Sequence, residues 1–246
     1  PGRAEPSDPA VPEDGSVGLH GVSFAYRAGG RSVVDDVDVR IAPGSSVALV
    51  GPTGAWKSTL AKLVAGIHDP VRGRVEIGGV ERGRIPTADA VRTCVLVSQE
   101  THVFSGTVAD DLRLAAPDAT DDELTAALAA VGADDWVRSL PDGLATVVGA
   151  GGTAVTATEA QQLALARVAL LDPSVLILAE ATAEAGSAGA RRLDRAAAAL
   201  GRGRTTVTVA HRLSQAALAD RILVVEDGRI IEDGSHTDLV AAGGTY

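Results

Sequence analysis

The chain has 246 residues, 46% of them hydrophobic, and a formal net charge of -10, enough apolar material for one large core or two small ones. Its basic residues are scattered rather than gathered into a stripe, which argues against nucleic acid as a partner. Its one cysteine, Cys94, excludes an intrachain disulfide or a cysteine metal cluster and fits a reducing compartment. With two each of Phe, Tyr and Trp, the core must be aliphatic, and every aromatic side chain carries information.

No run approaches the roughly 20 apolar residues of a membrane-spanning helix, and the N-terminus lacks the order of a signal peptide. The start at Pro1 rather than Met suggests a soluble fragment of a longer chain. Residues 1–16 are rich in Pro, Gly, Ser and acids without apolar periodicity, the composition of a linker or disordered lead-in. The folded part, 17–246, opens with "VGLHGVSFAY" and "SVVDDVDVRI", whose alternation predicts half-buried antiparallel strands.

"SSVALV" is a continuous apolar run ending at a Gly-rich turn, as a fully buried parallel strand would be. "KSTLAKLVAGI" follows with helical spacing, so strand, loop and helix succeed one another. "GRVEIGG" and "TCVLVSQ" read as further strands, and a helical part occupies about 105–171. Within it Thr120 with Glu123, and Thr156 with Glu159, are spaced as capping boxes. The strand "SVLILAE", an Ala-rich helix, the strand "TTVTVA", a short helix and two strands meeting at Asp227-Gly228, a hairpin signal, complete the chain. Apolar strands alternating with helices predict an α/β layered architecture with a helical insertion.

The stretch "GPTGAWKST", Gly51 to Thr59, is close to a phosphate-binding loop. In such a loop backbone N-H groups and a helix N-terminus surround the phosphates, the Lys reaches the terminal ones and the following Ser binds Mg2+. Gly51, Gly54, Lys57, Ser58 and Thr59 match the pattern G-x-x-x-x-G-K-[ST], with Thr53 and Ala55 between them; Trp56 stands where the pattern requires Gly. Forcing a bulky residue into a glycine conformation costs on the order of 1 to 3 kcal/mol. The alternative is that Trp56 points into a neighbouring gap and leaves the loop undistorted.

With "FAY", "VLVSQETHVFSGTVADDL", "VTATEAQQLALARVALLDPSVLILAEAT", "VAHRLS" and "VVEDGRIIEDGSHTDLVAAGG" in this order, the chain from residue 17 onward resembles the nucleotide-binding domain of exporter-type ATP-binding cassette (ABC) transporters. The resemblance implies an α/β fold of the P-loop NTPase, RecA-like kind: a parallel-sheet core, an antiparallel β subdomain and an inserted α-helical subdomain. It implies ATP and Mg2+ as cofactors. Tyr26 takes the place of the aromatic that stacks on adenine, the alternative being an ordinary aromatic at a sheet edge. Gln99 matches the glutamine linking metal to the helical part, Glu180 the group that polarises the attacking water, and His211 the switch histidine.

Several positions depart from the family pattern. Ala179 replaces the acidic residue that orients the metal. The signature segment reads Val155, Thr156, Ala157, Thr158, Glu159; Thr156 keeps a hydroxyl at the helix cap, and Thr158 puts a branched side chain where close backbone approach is expected. "AEAG", 183–186, replaces a run that contacts the opposite subunit, and Val147 replaces an acidic residue in an exporter-specific loop. The resemblance implies a domain on the cytoplasmic face of a membrane, working with a transmembrane domain and a second nucleotide-binding domain, and the departures imply an impaired site. It would bind ATP weakly and hydrolyse it poorly or not at all. A working ATPase and a structural module that binds no nucleotide are the alternatives.

Overall fold

The structure is a computed structural model that describes residues 5–98, 102–179, 188–210 and 212–246. In chain order the N-terminal elements are β1 (Val17–Phe24), β2 (Val34–Ile41), β3 (Ser46–Val50), α1 (Lys57–Val64), β4 (Arg72–Ile77), β5 (Val80–Glu81), α2 (Thr87–Thr93) and β6 (Cys94–Val97). The middle of the chain forms β7 (Gly106–Thr107), α3 (Val108–Arg113), α4 (Asp121–Ala130), α5 (Asp134–Ser139), β8 (Val147–Val148) and α6 (Ala157–Leu171). β9 (Val175–Ala179), α7 (Ala188–Gly201), β10 (Thr205–Val209), α8 (Leu213–Ala216), β11 (Arg221–Glu226), β12 (Arg229–Gly234) and α9 (His236–Ala242) follow.

Two compact units divide these elements. The first comprises Pro1–Leu96, Pro173–Ala179 and Gly203–Tyr246. One sheet, in the order β2-β1-β4-β5, is antiparallel, and its alternating Val17, Leu19, Val22, Val37, Val39 and Ile41 are buried. The other has the order β12-β11-β3-β10-β9-β6. β3 lies between β10 and β11 and is parallel to both. Covered on both edges and faces, Val47, Ala48, Leu49 and Val50 are buried, which explains the unbroken apolar run. Each large aliphatic side chain so enclosed contributes about 1.5 to 3 kcal/mol. β11 and β12 join through Asp227 and Gly228, both in the left-handed region at φ 46° and 77°, the backbone a two-residue hairpin of this twist requires.

Residues 5–16 form neither helix nor strand. Hydrogen bonds from Ala10 N to Arg84 O, from Glu13 N to Gly78 O and from Arg84 to the Asp8 carboxylate hold this stretch against the turns on either side of β5.

The second unit comprises Val97–Asp172 and Glu180–Arg202 and is mostly helical. α3, α4 and α6 each begin with a capping box, at Thr107 with Asp110, Thr120 with Glu123 and Thr156 with Glu159. Leu112, Leu124, Leu128, Leu163 and Leu165 fill its core. The Asp111 carboxylate is buried among them. It takes a 2.6 Å ion pair from Arg167 and a hydrogen bond from Phe104 N, while Arg167 also donates to His102 O. A charge removed from water must be compensated in this way; one ion pair thereby fixes α6, α3 and the 102–104 segment together.

Candidate nucleotide-binding site

The site grows from the end of β3. The chain leaves the sheet at Gly51, whose φ is 147°, and a Cβ there would collide with the Val225 carbonyl oxygen. Only glycine lets the strand end pass so close to β11. Gly54 turns the loop at φ 84°, and Ala55 N donates to Pro52 O at 3.2 Å. Lys57 is buried, and its Nζ donates to Gly51 O at 2.8 Å and Pro52 O at 2.9 Å. The ammonium thus sits in the concave side of the loop it would close over a phosphate.

Trp56 is the N-cap of α1, at φ 68° and ψ 22°. The loop has kept the left-handed conformation glycine would take, and a bulky residue adopts it. Such a conformation costs on the order of 1 to 3 kcal/mol. Trp56 provides no side-chain cap, and the first turn of α1 contains no acidic residue of its own. The two sequence readings of Trp56 combine: the backbone carries the unfavourable φ, and the ring turns aside toward Tyr26, with centroids 6.1 Å apart and planes inclined by 49°.

Tyr26 follows β1. Its hydroxyl is 2.8 Å from Thr59 Oγ1 in the first turn of α1. The Tyr26 ring meets Phe24 edge-on at 5.1 Å and His68 edge-on at 5.5 Å, and His68 stacks on Phe24 at 5.0 Å and 12°. Sequence reading found Tyr26 and Trp56 but missed His68, which lies just beyond α1 and outside any motif. Thr53 and Gly54 are exposed at the loop tip, Ser58 is half-buried and Thr59 is buried.

Of the other candidates, Gln99, Glu180 and His211 lie outside the described residues, as does the 183–186 segment. Ala179 ends β9 in register with Val209 and is buried, so no carboxylate projects from that position. Among the described residues no group of three or more His, Cys, Asp or Glu is placed to hold a metal ion. Thr156 belongs to the second unit, where its Oγ1 caps Glu159 N while the Glu159 carboxylate accepts from Thr156 N and Oγ1. Thr158 lies against Gly189, where an added Cβ would stand 2.8 Å from Thr158 Oγ1. The branched residue in the signature segment and a glycine of α7 are therefore a matched pair.

The donors present, a buried ammonium and the N-H groups of a Gly-containing loop at a helix N-terminus, suit a polyanion. For the metal, the described part of the site supplies the Ser58 hydroxyl. A parallel sheet feeding such a loop into a helix defines a P-loop nucleotide-binding domain.

Comparison with known proteins agrees. The family model for the ABC transporter matches residues 34–183. A mycobactin import ATP-binding/permease protein of Mycobacterium tuberculosis is 40% identical over 225 residues, 92% of this chain and 39% of that protein. An ATP-dependent lipid A-core flippase of Chromobacterium violaceum is 38% identical, over 100% of this chain and 42% of that protein. A solved bacterial Atm1-family ABC exporter with ATP bound superimposes with a TM-score of 0.88 at 33% identity, over 99% of this chain and 43% of that one. The chain belongs to the ABC transporter family, with the fold of the exporter nucleotide-binding domain. It spans less than half the length of these relatives, the first of which is named as a joint ATP-binding/permease protein.

Proposed function

We propose that this chain is the cytoplasmic ATP-binding part of an exporter-type transporter, that it holds Mg2+-ATP weakly, and that it turns the nucleotide over slowly or not at all. The observation that carries this reading is Trp56 at φ 68° in the phosphate loop. A bulky residue holds the left-handed backbone that the loop would give to glycine, and Ala179 leaves the metal without the carboxylate of that position. Phosphoryl transfer depends on positioning and charge stabilisation, so both changes weaken turnover more than folding.

In this reading Lys57 and the loop N-H groups bind phosphate, Ser58 and Gln99 serve the metal, Glu180 orients water, His211 senses the terminal phosphate and Tyr26 stacks on adenine. A transmembrane domain receives the motion. A second nucleotide-binding domain meets the signature segment at Thr156 and supplies the hydrolytic competence this one lacks. The relatives' fusion to permeases supports the first partner. A second reading, a working ATPase, is favoured by the buried Lys57 poised over the loop carbonyls.

Titration with Mg2+-ATP, followed by calorimetry and tryptophan fluorescence and then by phosphate release with the partner subunit present, separates them. Weak binding with little release supports the first reading, and steady release by this chain's own site supports the second. No heat at millimolar ATP removes both. The double variant Trp56→Gly, Ala179→Asp is expected to bind ATP more tightly than the parent; equal binding would overturn the account of the loop.

A further inference from the structure

The stretch ahead of β1 has the composition of a free linker, yet it fits a socket. β4 and β5 are joined by Gly78 and Gly79, both in the left-handed region at φ 54° and 74°, as a two-residue hairpin of this twist requires. Gly78 gives both of its backbone polar groups to the lead-in: its N-H donates to Ser16 O at 2.9 Å, and its carbonyl accepts from Glu13 N at 3.2 Å. A Cβ on Gly78 would stand 2.6 Å from Asp14 O and 2.8 Å from Glu13 N, whereas a Cβ on Gly79 would meet open space. Both glycines serve the turn, and Gly78 also admits a second segment.

An Asx turn shapes the segment that enters this socket, with the Asp14 carboxylate accepting from Ser16 N at 2.8 Å. Inside that turn Gly15 passes close to the parallel sheet. A Cβ there would lie 2.8 Å from Ser174 O, just ahead of β9, and 3.0 Å from Thr205 Oγ1 at the start of β10. Further back, Ala10 N donates to Arg84 O, and Arg84 reaches Asp8. Little apolar surface backs these contacts. No residue from 5 to 16 is fully buried, Pro6, Ala10 and Pro12 are half-buried, and the ion pair is exposed. A segment held by solvent-facing hydrogen bonds and few apolar contacts opens well before the domain unfolds.

We propose that residues 5–16 are a detachable strap, with a docked state and a free state on a domain that stays folded in both. Docked, the strap binds the chain ahead of β1 to both sheets of the first unit. A displacement of that chain then reaches the β4–β5 turn and the starts of β9 and β10 together. Free, it reaches β1 alone.

The test uses the full 246-residue chain as parent, Gly78→Ala, Gly79→Ala and Gly15→Ala, with a synthetic peptide of residues 5–20 as the undocked reference. The first two variants each put one left-handed alanine in the same turn, so the turn strain is common to both, and the collision with the strap belongs to Gly78→Ala. Gly15→Ala leaves the hairpin untouched and crowds the strap against Ser174. A glutamate-specific protease reads docking at the Glu13–Asp14 bond, where cleavage tracks the population of the open form. The parent should be cut there at least about tenfold more slowly than the peptide, while the fragment that remains stays resistant. Gly78→Ala and Gly15→Ala should be cut about fivefold or more faster than Gly79→Ala. Exchange of the Thr205 amide, which donates to Ser174 O beside Gly15, should quicken in the same two variants. A parent cut as fast as the peptide overturns docking. A cut that appears only as the whole domain is digested overturns detachment. Cleavage in Gly78→Ala and Gly15→Ala no faster than in Gly79→Ala overturns the socket, and unchanged Thr205 exchange overturns the tie to the parallel sheet.

Discussion

The Tyr26 hydroxyl and Thr59 Oγ1, 33 positions apart in the chain, are 2.8 Å apart in the fold. This contact ties the end of the first antiparallel strand to the first turn of the helix after the phosphate loop. Thr59 is only 3% exposed, so its hydroxyl depends on that partner. Tyr26→Phe keeps the ring and removes the bond, and it should cost about 1 to 3 kcal/mol for leaving a buried hydroxyl unpaired. Thr59→Val should cost less when made in the Tyr26→Phe background than in the parent. Urea unfolding of the four proteins measures the coupling, and additive effects would show that the contact is not an energetic one.

The left-handed backbone at Trp56 can be weighed separately from its ring. Trp56→Ala discards the ring contact with Tyr26 and keeps the unfavourable φ, whereas Trp56→Gly discards both. The glycine variant is expected to be more stable than the alanine variant by about 1 kcal/mol, the left-handed cost less the extra chain entropy of glycine. Denaturation midpoints decide this, and an alanine variant as stable as the glycine one would mean that the loop relaxes out of the left-handed region.

Ion pairs in this protein should differ sharply in worth. Arg167 pairs with a fully buried Asp111, while Arg229 meets Asp35 at the surface. Arg167→Ala strands a buried carboxylate and should destabilise by about 3 to 5 kcal/mol; Arg229→Ala should change stability by less than about 1 kcal/mol. Thermal or urea unfolding of the two variants provides the comparison.

Glu76 accepts hydrogen bonds from Arg74 and His20. The Arg74 bond above all holds its carboxyl below the ordinary value of 4.5, against a smaller opposing effect of burial. The folded state therefore binds the proton less readily than the unfolded chain. Its contribution to stability is fully present above the unfolded value and disappears as pH falls through the lowered folded one. Glu76→Gln should flatten the part of the acid limb of the stability profile that lies below the ordinary value of 4.5. An unchanged acid limb in urea titrations would contradict this.

Much of the fold was legible because its signals are local. The alternation of β1 and β2, the apolar run of β3, the Asp227-Gly228 turn and the capping boxes at Thr120 and Thr156 are each written within a few residues, and each appears in the fold. The box at Thr107 and Asp110 escaped because Asp stands where the pattern expects Glu or Gln. α2 escaped because "TADAVRT" is too short and polar to show a face. In the site, the sequence identified the loop and its foreign residue, and it named both alternatives for Trp56. It could not choose between them, because backbone φ and ring direction depend on neighbours outside the motif.

The sequence by itself thus determined the succession of strand, loop and helix, the presence of Lys57 and Ser58, and the place where glycine is missing. Tertiary structure alone decided that β3 runs between β10 and β11, that Asp111 meets Arg167 across 56 residues, that Thr158 rests on Gly189, and that Phe24, Tyr26, Trp56 and His68 gather at one spot. The physical reason is range: hydrogen-bonded turns and caps are fixed by neighbours along the chain, whereas ring packing and buried charge pairing are settled only when distant segments close on one another and exclude water.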